Sequence, residues 1–227
     1  MTIPDDAGRP AAVAFDLDGL LVNTEEIYPD VGAELLRRRG CRFDDDLLDA
    51  MMGRPQTVAL ATMIRWHGLS DSVETLARET REIFVGLLDT RLAAMPGAVP
   101  LLDRLAAAGV ACCVATSSAP DYAHDVLARL ALADRFAFVL TAHDVTTGKP
   151  DPEIYRLAAS RFGLPPARLA VLEDSQIGCR AGLAAGAVVV AVPAGHSRRH
   201  DFTGVRLVAE SLADPQLHGL LGLAPGA

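Results

Sequence analysis

Five short apolar runs, each ending abruptly in polar residues, constrain this 227-residue chain more than any other feature. They occupy residues 11–15, 110–115, 136–140, 169–172 and 187–192. Such runs read as buried strands that stop where a polar or glycine-containing turn begins. Helical patterns fill the gaps between them, at 99–108, 121–130, 153–162 and 176–185. Gly109, Gly163 and Gly186 follow three of these, and a glycine just past a helix is a common stop. Strands alternating with helices of this length predict right-handed βαβ units and a parallel sheet, an α/β architecture.

The stretch 25–91 breaks that rhythm. It contains no convincing strand and is predicted helical at 28–39, 45–52, 56–66 and 72–88. Two helical hairpins inserted after the first strand would form a small separate domain, 25–91. The sheet domain is then assembled from 10–24 and 92–223, re-entered at Met95-Pro96-Gly97. A last helix is predicted over 214–221, followed by a frayed tail at 224–227.

Half the residues are hydrophobic and 22% are charged, the balance of a soluble domain with a substantial core. The net charge of −8 argues against nucleic acid or an acidic membrane surface as a partner, since both select basic patches. The first ten residues include Asp5 and Asp6 and lack an apolar signal segment. The longest apolar stretch, 184–192, is far short of the ~20 residues that span a bilayer. Cys41, Cys112, Cys113 and Cys179 have no metal-type spacing and are expected as reduced thiols of a cytoplasmic protein. A monomer is the default expectation.

In open parallel sheets ligands bind beyond the carboxyl ends of the strands, near the topological switch point. That rule gathers otherwise scattered residues: Asp16 and Asp18 after the first strand, Thr116 after the second, Glu173 and Asp174 after the fourth. Lys149 follows the third. Carboxylates so crowded repel one another unless a cation lies among them. Magnesium suits hard oxygen ligands and usually keeps several waters. Thr116 and the backbone N–H groups of Ser117 and Ser118 are predicted at a helix start, a natural anion site. Composition adds a pointer, because 20 of the 21 basic residues are arginine and Lys149 is the single lysine. A chain that uses guanidinium everywhere else keeps one compact ammonium here.

The four segments that carry these residues resemble the motifs of the haloacid dehalogenase superfamily, in order and over nearly the whole chain. They are Asp16-Leu17-Asp18-Gly19-Leu20-Leu21-Val22-Asn23-Thr24, Thr116-Ser117-Ser118, Gly148-Lys149-Pro150-Asp151-Pro152 and Glu173-Asp174-Ser175. The resemblance implies a Rossmann-like, doubly wound parallel-sheet core with an inserted α-helical cap, as in β-phosphoglucomutase, pseudouridine-5′-phosphatase and small sugar-phosphate phosphatases. It implies a Mg2+-dependent phosphatase of a small phosphorylated metabolite. Asp16 would be the nucleophile, Asp18 the general acid and base, and Thr116 and Lys149 the catalytic partners that hold the phosphoryl oxygens. Asp16, Asp18, Glu173 and Asp174 would hold the metal, Asp18 through its backbone carbonyl. Gly19, Arg54, Ser117, Ser118 and Lys149 would contact the substrate. Thr116 also reads as a helix cap, Glu173 as a bystander and Arg54 as a surface arginine, while Trp66 and His67 read as packing.

A carboxylate at position 18 suits an alcohol leaving group that needs a proton, unlike the dehalogenase and transport-ATPase branches. The inserted domain contains no lysine, which excludes imine chemistry of the phosphonate-hydrolase kind. Tyr28 stands where the mutase resemblance would place histidine, which favours hydrolysis over phosphoryl return to a sugar. A mutase and a catalytically idle phosphate-binding module remain the alternatives.

Overall fold

The computed structural model describes residues 9–51, 54 and 56–223. They form two compact units: Thr24–Leu92, and the described residues on either side of it.

The larger unit is built on a six-stranded, all-parallel sheet in the order β3-β2-β1-β4-β5-β6. Its strands are β1 (Ala12–Phe15), β2 (Ala111–Ala115), β3 (Val139–Leu140), β4 (Leu169–Glu173), β5 (Val188–Ala191) and β6 (Leu207–Val208). The central strands β1 and β4 are buried along their whole length, as continuous apolar runs in a sheet covered on both faces should be. From β1 the chain moves outward through β2 and β3, then returns to the other side of β1 as β4. The topological switch point therefore lies between β1 and β4. Register completes the placement. Phe15 pairs with both Val114 and Leu172, and the Asp16 N–H donates to the Leu172 carbonyl at 3.0 Å. Asp16 thus stands at the tip of β1 with Glu173 beside it.

Ser175 caps the helix that follows β4, its hydroxyl accepting the Gly178 N–H at 3.2 Å, and Gly186 closes that helix at φ +83°. The strand predicted over 136–140 pairs as a ladder only at Val139–Leu140. Ahead of that pair, Ala137 N–H donates to Cys112 O, and Phe136 packs edge-on against Phe15 at 6.0 Å. Strand β6 was not predicted. Two residues with one half-buried side chain between them carry no periodicity to read.

The smaller unit comprises α1 (Thr24–Arg37), α2 (Asp45–Met51), α3 (Gln56–His67) and α4 (Val73–Arg91). Its pairing is nested, with α1 against α4, α2 against α3 and α3 against α4, so it is more than two successive hairpins. Helix α1 starts four residues earlier than predicted. Pro29 suggests a boundary because it lacks an N–H, yet it is accommodated inside the helix. Just beyond α1, Arg39 lies between Asp71 (2.7 Å), which precedes α4, and Glu79 (3.0 Å) on α4. The predicted tail 224–227 lies outside the described residues. No described helix is long and apolar enough to cross a membrane.

Candidate active site

The core unit is completed on its faces by α5 (Ala98–Ala107), α6 (Pro120–Arg129), α7 (Glu153–Arg161), α8 (Gln176–Ala185) and α9 (Pro215–Leu220). At the tips of β1, β2 and β4, Asp16, the Ala115 carbonyl and Glu173 meet around one ammonium. Lys149 Nζ donates to Asp16 Oδ1 at 2.6 Å, to Glu173 Oε1 at 2.6 Å and to the Ala115 carbonyl at 2.8 Å. All three of its protons are engaged, and its side chain is only 3% exposed. Burial alone would depress this ammonium. The Asp16 and Glu173 carboxylates outweigh burial and hold it charged well above the usual lysine range.

Asp16, Glu173 and Asp174 each present a carboxylate oxygen within 4.8 Å of the others, all three residues buried. Three carboxylates against one ammonium leave an excess of two negative charges in a poorly solvated place. Burial, with Glu173 adding to it against the pull of Lys149, raises the Asp16 carboxyl to about 8. The donors are oxygen only and hard, and with Lys149 the cluster is formally net dianionic, which fits a divalent cation such as magnesium.

The three carboxylates differ in what already holds them. Glu173 Oε1 accepts from both Lys149 and the Tyr155 hydroxyl (2.6 Å), and Oε2 accepts from the Ser175 hydroxyl at 2.9 Å. Tyr155 is fully buried on α7, and burial followed by the Glu173 charge pushes its phenol far up, so it remains a donor. Glu173 is thus saturated by the protein itself. Gly178 makes room for it, since a Cβ there would lie 1.8 Å from Glu173 Oε1.

Asp18 lies beyond the end of β1 in a turn, and both its oxygens are held. Ser118 Oγ donates to Oδ2 and the Tyr122 hydroxyl to Oδ1, each at 2.7 Å. Gly19, at φ +78°, closes the same turn through its N–H to Val22 O at 2.9 Å. That amide is engaged within the chain. The predicted anion cradle differs. Thr116 does not cap a helix, because α6 begins at Pro120 with Ala119 as its cap. Instead, Thr116 Oγ1 accepts the Ser118 N–H at 3.0 Å, so of the two serine amides expected to face an anion, that of Ser118 is occupied. Ser117 is exposed. Arg54 belongs to the helical unit and is exposed, while its neighbours Gly53 and Pro55 lie outside the described residues.

Sequence reasoning missed Tyr122, Tyr155 and Gly178. Only Gly178 carried a signal, as a glycine inside a helix that marks a close approach. Which tyrosine hydroxyl reaches a strand tip is not a matter of spacing.

Residues 13–192 match the family described as "Haloacid dehalogenase-like hydrolase". Validoxylamine A 7′-phosphate phosphatase of Streptomyces hygroscopicus subsp. limoneus is 36% identical over 183 residues, 80% of this chain and 85% of that one. A Drosophila melanogaster protein named "Probable pseudouridine-5′-phosphatase" is 36% identical over 219 residues, 91% of this chain and 92% of that one. Among solved structures, a hydrolase from Deinococcus radiodurans with bound phosphate and sodium superposes with a TM-score of 0.81 at 29% identity. That match covers 96% of this chain and all of the other.

Proposed function

Because the chain belongs to the haloacid dehalogenase-like hydrolases, we propose that it is a magnesium-dependent phosphatase that carries the phosphoryl group of a small monoester on Asp16. The observation that carries this reading is the buried Asp16–Lys149–Glu173 contact with Asp174 alongside. In the first step a carboxylate oxygen of Asp16 attacks phosphorus, the bond from phosphorus to the ester oxygen breaks, and Asp18 gives the departing alcohol a proton. In the second step Asp18 takes a proton from water, which attacks the aspartyl-phosphate and frees Asp16. Lys149 orients Asp16 and offsets charge on the phosphoryl oxygens, with Thr116 nearby.

Asp16 and Asp174, with the Asp18 carbonyl, would hold the magnesium, whose charge would neutralise both the carboxylates and the phosphoryl group. Glu173, saturated by Lys149, Tyr155 and Ser175, is better suited to anchoring Lys149 than to ligation. The Deinococcus structure carries bound phosphate and sodium, which supports a protein of this fold taking both an anion and a cation. Relatives named for phosphorylated small molecules support a metabolite substrate over a phosphoprotein.

The test is release of inorganic phosphate from 4-nitrophenyl phosphate and a panel of sugar and nucleoside phosphates, with and without magnesium. Turnover that needs magnesium and disappears in Asp16→Asn is expected. A folded wild type inert toward the whole panel would favour the idle binding module, and phosphate moved to a second hydroxyl without release would favour the mutase.

A further inference from the structure

Both oxygens of the Asp18 carboxylate are held by hydroxyl donors from the segment after β2, Ser118 and Tyr122, each at 2.7 Å. These residues come from about a hundred positions further along the chain, so the contact is made by the fold and not by local turn chemistry. It is anchored at both ends. Asp18 is fixed by its bridge to Val22 and by the Gly19 amide that closes the turn. On the other side, Thr116 Oγ1 takes the Ser118 N–H, and Pro120 with Tyr122 opens the first turn of α6. Tyr122 is half-buried, with its hydroxyl at the site.

We infer that Ser118 and Tyr122 are positioning residues that aim the Asp18 carboxyl at the leaving oxygen, so that Ser118 acts through its hydroxyl and not as part of an anion cradle. The inference rests on the proposed role of Asp18 as proton donor. A carboxyl freed of one donor can rotate about its terminal torsion, a broad and soft degree of freedom. Misplacement of a reacting group on that scale is costly in rate. The loss should appear only where the leaving oxygen needs the proton. Ester bonds whose leaving group departs unaided should break as fast as before.

Phenyl, 4-nitrophenyl and 2,4-dinitrophenyl phosphate have nearly one shape and span strongly to weakly basic leaving groups. The readout is kcat/KM, which reports only the first, phosphorylating half of the reaction. For Tyr122→Phe and Ser118→Ala we expect roughly a tenfold fall with phenyl phosphate, a fraction of the ~10²–10⁴ that a positioned acid supplies. With 2,4-dinitrophenyl phosphate the change should stay within about twofold, and Ser118→Thr, which keeps a hydroxyl, should restore most of the phenyl phosphate rate. A fall of equal size on all three esters would mark a merely structural role and overturn the inference, as would no fall at all. Asp18→Asn separates the two claims. If it shows the selective loss while the Ser118 and Tyr122 variants do not, the positioning role fails and the acid survives. If Asp18→Asn is itself unselective, the acid reading fails and takes the inference with it.

Discussion

At the residue scale the site turns on one ammonium that meets three acceptors at once. A guanidinium is planar and forked, and it cannot place three donors on Asp16, Glu173 and the Ala115 carbonyl from one point. Lys149→Arg therefore keeps the charge and loses the geometry. Turnover should fall by about 10²-fold or more, read as kcat for 4-nitrophenyl phosphate. The thiols make a second residue-scale case. Burial raises the Cys112 thiol to about 12 and pushes Cys113 and Cys179 up as well, so all three stay protonated at neutral pH. A thiol reagent at pH 8 should modify the half-exposed Cys41 in the native protein and reach the other three only after denaturation.

At the element scale, two contacts decide whether a helix sits correctly. The first turn of α8 passes so close to the tip of β4 that only a glycine fits at 178. Gly178→Ala must displace the Glu173 carboxylate, which releases Lys149 and Tyr155 together. We expect about a 10²-fold loss of kcat. The fold as a whole should persist, since the clash is confined to one polar side chain, and far-ultraviolet circular dichroism checks this. In the helical unit, Arg39 joins the end of α1 to Asp71 and Glu79 with its side chain 13% exposed. Arg39→Ala leaves two partly buried carboxylates facing each other and should cost about 2 kcal/mol, between the values for exposed and fully buried pairs. Denaturant titration would measure it.

At the scale of the whole molecule, the uncompensated charge of Asp16, Glu173 and Asp174 ties stability to pH and to metal. Without a cation, the Asp16 carboxyl is raised from its ordinary 3.8 to about 8, chiefly by burial. Folding then favours its protonated form. That contribution is complete below about pH 4 and is lost as pH rises through 8, so the Tm of metal-free protein should decline across that window. Magnesium reverses the sign of the local logic by favouring the ionised carboxylates. At 100 times its Kd it should add about 2.7 kcal/mol, seen as a higher Tm at pH 7.5. Asp174→Asn should abolish the magnesium-dependent rise. A wild type whose Tm ignores magnesium would contradict the proposed metal site.

Much of the fold is legible in the sequence, for a definite physical reason. A strand buried on both faces must be apolar throughout and must end where polar groups reach solvent, so β1, β2, β4 and β5 announce themselves and their tips. The parallel topology then brings Asp16, Thr116, Lys149 and Glu173-Asp174 to one end of the sheet without reference to any side-chain contact. Weakly patterned elements escaped that logic. Strand β6 is two residues long, β3 pairs over only two, and α1 extends through a proline that local chemistry would place at its start.

What the linear order could not contain is which donor satisfies which acceptor. That Glu173 is taken up by Lys149, Tyr155 and Ser175, that Ser118 and Tyr122 turn to Asp18, and that the Ser118 amide is spent on Thr116 depend on distances between residues far apart in the chain. Hydrogen bonds form or fail within a few tenths of an ångström, a precision that only close packing of the folded chain supplies. Hydrophobic pattern thus determined the central strands and, through the parallel topology, the end of the sheet where the candidate site lies, because burial is a property of each residue type. The division of labour inside the site was decided by tertiary packing, because hydrogen bonding is a property of pairs.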